Sequence, residues 1–106
     1  MAFFKKAQEN LRFSPEKMQK SNPFETERLF CDVYCLEPGQ SQKAHAHAGS
    51  DKIYCVLEGR ARVRVSDEER TLGPGEIALA REGLEHGVRN DGPGRASLLV
   101  LMAPKP

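Results

Sequence analysis

From Thr26 onward the chain is a series of short apolar-rich stretches, several of them alternating with polar residues, separated by glycine and proline. Arg28 to Leu36 reads as a strand ending at Glu37-Pro38-Gly39, and Lys52 to Leu57 as a strand ending at Glu58-Gly59. Arg60 to Val65 alternates arginines with Ala61, Val63 and Val65, as a half-buried strand should. Ser66-Asp67-Glu68-Glu69 and Leu72-Gly73-Pro74-Gly75 read as turns, and Ile77 to Ala80 as a strand. The segment carrying His86 and Val88 is another strand, closed by Asn90-Asp91-Gly92-Pro93-Gly94. Ser97 to Met102 is apolar on both faces and needs cover on both, from an opposing sheet or a second subunit. This punctuation predicts an all-β sandwich or barrel without internal repeats.

Residues 1–24 break the pattern. Phe3, Phe4, Ala7 and Leu11 recur at helical spacing, and Ser14-Pro15-Glu16 resembles an N-cap followed by proline at the first helical position. The expectation is a partly helical N-terminal arm over residues 1–24, outside the core sheet, and one barrel domain over residues 25–106. The arm's aromatics either pack on the domain edge, reach a second copy, or belong to a partly ordered tail.

A chain of 106 residues suits one domain with a single modest core. With 39% hydrophobic and 29% charged residues it has the composition of an ordinary globular protein. The net charge of +1 gives no electrostatic reason to expect nucleic acid or an anionic membrane as partner. Charge clusters such as Arg60, Arg62 and Arg64 read as solvated faces. The longest nearly apolar run, Ala96 to Pro104, is far short of the ~20 residues a spanning helix needs. The opening Met-Ala-Phe-Phe-Lys-Lys lacks the apolar core and cleavage site of a secretory signal, so a cytoplasmic location is the default expectation.

The odd count of Cys31, Cys35 and Cys55 favours free thiols that pack as small apolar groups. Cys31 and Cys35, four apart in one strand, would stand roughly 13 Å from each other, beyond disulfide reach. Cys55 could approach either from a neighbouring strand.

The histidines carry the chemistry. All three fall in two short stretches, His45-Ala46-His47 and His86. In an extended strand His45 and His47 project to the same side, close enough to share one ion. His86 joins them only if the chain folds back and lays a second strand alongside. A lone histidine in a strand is more often a packing residue, but every histidine of the chain takes part in this pattern.

The spacing resembles that of the cupin superfamily, whose small β-barrels hold a metal between two motifs. Gly39, His45, His47 and Gly59 fill the first motif, and Gly75, Gly83, His86 and Asn90 the second, with the family's spacing kept from Thr26 to Pro104. The resemblance implies a single small jelly-roll barrel of two antiparallel sheets. It also implies one divalent transition metal ion (Fe, Zn, Ni, Mn or Cu) on His45, His47 and His86, with positions left open for water or substrate.

Two residues depart from the family pattern. Lys52 stands where the family places its metal-binding glutamate, and Arg81 replaces a turn proline. An ammonium cannot donate a lone pair to a cation, so Lys52 must lose its proton, point away, or stand off and bind an anionic substrate. Asp51 could supply the missing carboxylate only if the Ala48-Gly49-Ser50 bend shifted the register. Tyr54, two residues beyond Lys52 on the same face, either lines the pocket or is a core tyrosine with a satisfied hydroxyl.

The resulting expectation is a metal-dependent enzyme of oxygenase or isomerase type acting on a small organic substrate, with its catalytic residues unassigned. The alternative is a non-catalytic ligand-binding or sensor module, in a form that has lost its metal with the replacement of the motif glutamate by Lys52. A structural metal is disfavoured, since closed structural sites take four protein ligands. A homodimer is expected, because a small barrel with a two-sided apolar strand can bury one sheet face against a copy of itself.

Overall fold

The computed structural model describes residues 2–106. Its strands are β1 (Gln19–Glu25), β2 (Phe30–Leu36), β3 (Ser41–His45), β4 (Asp51–Glu58), β5 (Ala61–Val65), β6 (Glu68–Leu72), β7 (Ile77–Ala80), β8 (His86–Arg89) and β9 (Ala96–Ala103). They form two antiparallel sheets, a five-stranded one in the order β1-β2-β9-β4-β7 and a four-stranded one in the order β3-β8-β5-β6. The expected all-β architecture is present.

Alternation decides which residues fill the space between the sheets. Along β4, Lys52, Tyr54 and Val56 turn inward while Asp51 and Ile53 face out. On β5, Ala61 and Val63 are buried, and Arg62 and Arg64 reach Glu69 and Glu85 at the surface. These arginines are the solvated face their pattern predicted; such exposed pairs are worth little individually. The core is built from Tyr34, Leu36, Tyr54, Val56, Ala61, Val63, Leu72, Val88, Ala96, Leu98 and Val100.

Register stacks inward residues in rows across the larger sheet. One row runs Phe30–Met102–Lys52–Ala80, and the next Val100–Tyr54–Ala78 with Asp32 beyond Val100. Outward rows run Cys31–Leu101–Ile53–Leu79 and Val33–Leu99–Cys55–Ile77. β9 is central, and its inner face is sealed, but outward Leu101 remains 37% exposed. Cover on that second face is therefore incomplete within one chain.

Three expectations need correction. The helix expected in the arm is only a 3-10 turn, Ala7–Asn10. Residues 19–25 do not lie apart from the sheet; they form β1, paired antiparallel with β2. β1 was hidden by its composition, Gln-Lys-Ser-Asn-Pro-Phe-Glu, whose polar residues and proline suit an edge strand and little else. Finally, Glu68 and Glu69 are not turn residues: the chain reverses at Ser66-Asp67, with Ser66 at φ 58°, and charged β6 runs back along β5 as an edge.

The arm is strapped down along its length. The Arg12 amide donates to Cys35 Sγ at 3.3 Å, Gln40 donates to the Ser14 carbonyl at 2.6 Å, and the Arg95 guanidinium covers the Phe13 ring at 4.6 Å. Phe3 and Phe4 stay exposed. All three cysteines are free thiols, so Cys55 pairs with neither Cys31 nor Cys35. No helix among the described residues is long and apolar enough to cross a membrane.

Two glycines do specific work in closing the barrel. At Gly59 φ is 73°, and a Cβ there would run into the Arg95 carbonyl. Gly87 lets β8 lie close against β3, where a Cβ would stand 2.9 Å from the Gln42 carbonyl oxygen. That approach sits at the register shift between Gln42 and His45, which determines where His45 points.

Candidate metal centre

His45 closes β3 and pairs directly with His86, the first residue of β8. His47 lies just past the end of β3 rather than within it; its carbonyl accepts the Gly83 amide at 2.9 Å, which ties it to the loop leading into β8. The fold-back that the sequence required of His86 is thus present. Ring centroids are 4.5 Å apart for His45–His86, 4.8 Å for His45–His47 and 5.6 Å for His47–His86. One nitrogen from each ring lies within 4.8 Å of the others. Small side-chain rotations bring three such donors to the ~2.0–2.1 Å reach of one ion.

The hydrogen bonding settles which nitrogens are free. His45 Nδ1 lies 2.8 Å from the Lys43 carbonyl and His86 Nδ1 lies 2.9 Å from the Leu84 carbonyl. A carbonyl only accepts, so each neutral ring carries its proton on Nδ1 and leaves the Nε2 lone pair unengaged. His86 Nε2 is buried with no hydrogen-bond partner. A buried acceptor left empty is costly, and a metal ion is the partner this geometry fits.

Electrostatics favours the neutral forms of His86 and His47. Burial lowers the pKa of His86 most, opposed by its bond to Leu84 and reinforced by Lys52 and the other two histidines. His47 is lowered by burial first, then by His45, Lys52 and Lys20.

Beside the triad a pocket of about 200 Å³ is lined by Lys20, Asp32, Tyr34, Gln42, Lys52 and Met102, together with His45, His47, Phe30, Val100 and Pro106. It is smaller than the ~300–1,000 Å³ typical of drug-sized ligands. Lys52 points into it while only 2% exposed. Its ammonium sits over the Tyr34 and Tyr54 rings at 5.3 and 5.1 Å and donates to Gln42 Oε1 at 3.3 Å. Burial, then the charge of Lys20, brings its pKa down to about 8 against the opposing pull of Asp32.

Tyr54 fits neither expectation for it. It lies in the core beneath the pocket, fully buried, and its hydroxyl has no hydrogen-bond partner. Burial raises its pKa, and pushes that of Tyr34 up to about 12, so both stay protonated donors. Asp51 does not replace the missing carboxylate: it is exposed on the outer face and accepts the Glu82 amide at 2.9 Å. Tyr34, Gln42, Lys20 and Asp32 were missed from sequence. Asp32 and Tyr34 are legible as one face of β2 by period two, but the bulge in β3 hides Gln42, and the polar composition of edge strand β1 hides Lys20.

Two antiparallel sheets around three converging imidazoles define a small β-barrel with a candidate metal site at one end. The chain belongs to the cupin family, whose profile, described as "Cupin domain", matches residues 32–102. The protein TT1209 from Thermus thermophilus is similar at 50% identity, with a TM-score of 0.95 over 97% of this chain and 98% of that one. A conserved protein with a double-stranded β-helix domain from Klebsiella pneumoniae is 27% identical, with a TM-score of 0.90 over 98% of this chain and 91% of its own. Among curated proteins, the tetracenomycin polyketide synthase protein TcmJ of Streptomyces glaucescens is 36% identical over 74 residues, 67% of this chain. This chain spans 50% of the length of TcmJ.

Proposed function

We propose that the protein is a metal-dependent cupin enzyme, of oxygenase or isomerase type, acting on a small organic substrate in the 200 Å³ pocket. The observation that carries this reading is the buried Nε2 of His86, which has no hydrogen-bond partner, in a cluster with His45 and His47. Three neutral donors leave coordination positions for a ligand, unlike the four of a closed structural site. A divalent ion held there would supply Lewis acidity, or redox chemistry if it is iron, copper or manganese. The chain's own residues do the rest: Phe30, Val100 and Met102 exclude water from one side, while Lys52, Gln42 and Tyr34 present polar groups that orient the substrate. TcmJ belongs to a polyketide synthase, which supports a small organic substrate here. The test is metal analysis of the purified protein, followed by oxygen uptake and product analysis with catechols, diketones and keto acids. Turnover that follows metal content supports an enzyme; tight ligand binding without turnover favours a ligand-binding module.

The proposed partner is a second copy of the chain. The rows Cys31–Leu101–Ile53–Leu79 and Leu99–Cys55–Ile77 make an uncharged outer face on which Ile77, Leu79, Ile53 and Leu101 are exposed. A two-fold interface needs such a self-complementary patch.

A further inference from the structure

The replacement of a ligand carboxylate by Lys52 changes what the pocket can hold. No ion pair to Lys52 exists among the described residues. A cation this buried, with one neutral acceptor at 3.3 Å and two ring faces, is short of compensation, because two of its three donors lack an oxygen. Lys20 adds a second cation on the same pocket, over the Tyr34 ring at 5.2 Å, so that Asp32, which also accepts from Asn22 at 2.5 Å, offsets one of the two positive charges and leaves the other without a counter-ion. Both tyrosine hydroxyls near the ammonium are donors rather than anions, and that of Tyr54 is unpartnered. Relative to a site with glutamate at position 52, this one carries two more units of positive charge, before any divalent ion is added.

We infer that the pocket is built to take a small carboxylate, with Lys52 as its counter-charge, and that short-chain carboxylates are the class of substrate this site selects. The carboxylate supplies the anionic oxygens that the side chain at position 52 does not. The two tyrosine rings hold the ammonium in place, and Phe30, Val100 and Met102 offer an apolar wall to a short carbon skeleton. The 200 Å³ volume restricts that skeleton to a few carbons.

This inference rests on the proposed substrate site, but its charge component does not require the ion, so the two can fail separately. The experiment compares pyruvate with its uncharged isostere pyruvamide by calorimetry and NMR titration, using metal-free and zinc-loaded full-length protein. The expected result is at least tenfold preference for pyruvate in both forms, falling to less than twofold in metal-free Lys52→Met, whose zinc affinity is undiminished. Equal binding of the two probes by the wild type, or a preference unchanged in metal-free Lys52→Met, overturns the inference. The wild-type comparison stands even if that variant does not fold. Carboxylate preference without zinc binding would sustain the inference and defeat the metal reading; zinc binding without preference would do the reverse.

Discussion

His45 and His86 face each other across the β3–β8 ladder, and each gives its Nδ1 proton to a carbonyl two residues upstream on its own segment, Lys43 for one and Leu84 for the other. The same local hydrogen bond, made twice, leaves two Nε2 lone pairs free, in a cluster whose donor atoms lie within 4.8 Å of one another. His47, held by the Gly83 amide, adds the third donor.

Lys52 makes stability pH-dependent with a definite sign. Its pKa is about 8 in the folded metal-free protein against 10.5 for an ordinary lysine. Between those values the unfolded chain binds more protons, so stability rises with pH; below 8 the cost of the buried charge is fully present. Lys52→Met should therefore stabilise the metal-free protein at pH 7 by on the order of 2 kcal/mol, once lost ring contacts are set against the relieved charge. The gain should shrink through pH 8 to 10.5, and denaturant unfolding across that window reads it. A pH-independent difference would contradict the assignment.

Restoring the family residue should act on the metal. Lys52→Glu is expected to raise metal affinity at least tenfold and weaken any carboxylate ligand, as read by competition with a chelator. No change in either would remove Lys52 from the site.

Tyr54 buries a hydroxyl without a partner. Tyr54→Phe should leave the fold intact and stabilise the ligand-free protein by about 1 kcal/mol, since it removes an unmet hydrogen-bonding group at almost constant volume. A loss of stability would show that the hydroxyl is satisfied in solution.

Gly59→Ala should destabilise by about 2 kcal/mol or more, from the strained φ and the blocked Arg95 carbonyl together, with thermal unfolding as the measurement. Light scattering should give twice the 11.8 kDa chain mass for the wild type, and one chain mass for a folded Leu101→Glu variant. A monomeric wild type would contradict the proposed interface.

The barrel and the triad were legible in the chain because both depend on local periodicity: Tyr54 and Val56 alternate with Ile53 and Cys55, and His45 and His86 sit at fixed distances from bends where Gly39, Gly59, Gly75 and Gly83 all adopt positive φ. What was hidden depends on edges and irregularities. β1 and β6 carry polar residues because each is an edge strand, and periodicity does not reveal those. Gln42 enters the pocket only through the shifted register before His45, a feature of the β3–β8 pairing rather than of either strand alone. The arm's apparent helical spacing lost to packing along β2, where the Arg12 amide meets Cys35.

The most direct test of the central claim, that His45, His47 and His86 hold one ion, is calorimetric titration of zinc into chelator-treated wild type, His45→Ala and His86→Ala. One zinc per chain is predicted for the wild type, with affinity reduced at least a hundredfold in each variant and the fold retained by circular dichroism. Absence of uptake by the wild type, or equal uptake by the variants, would contradict it.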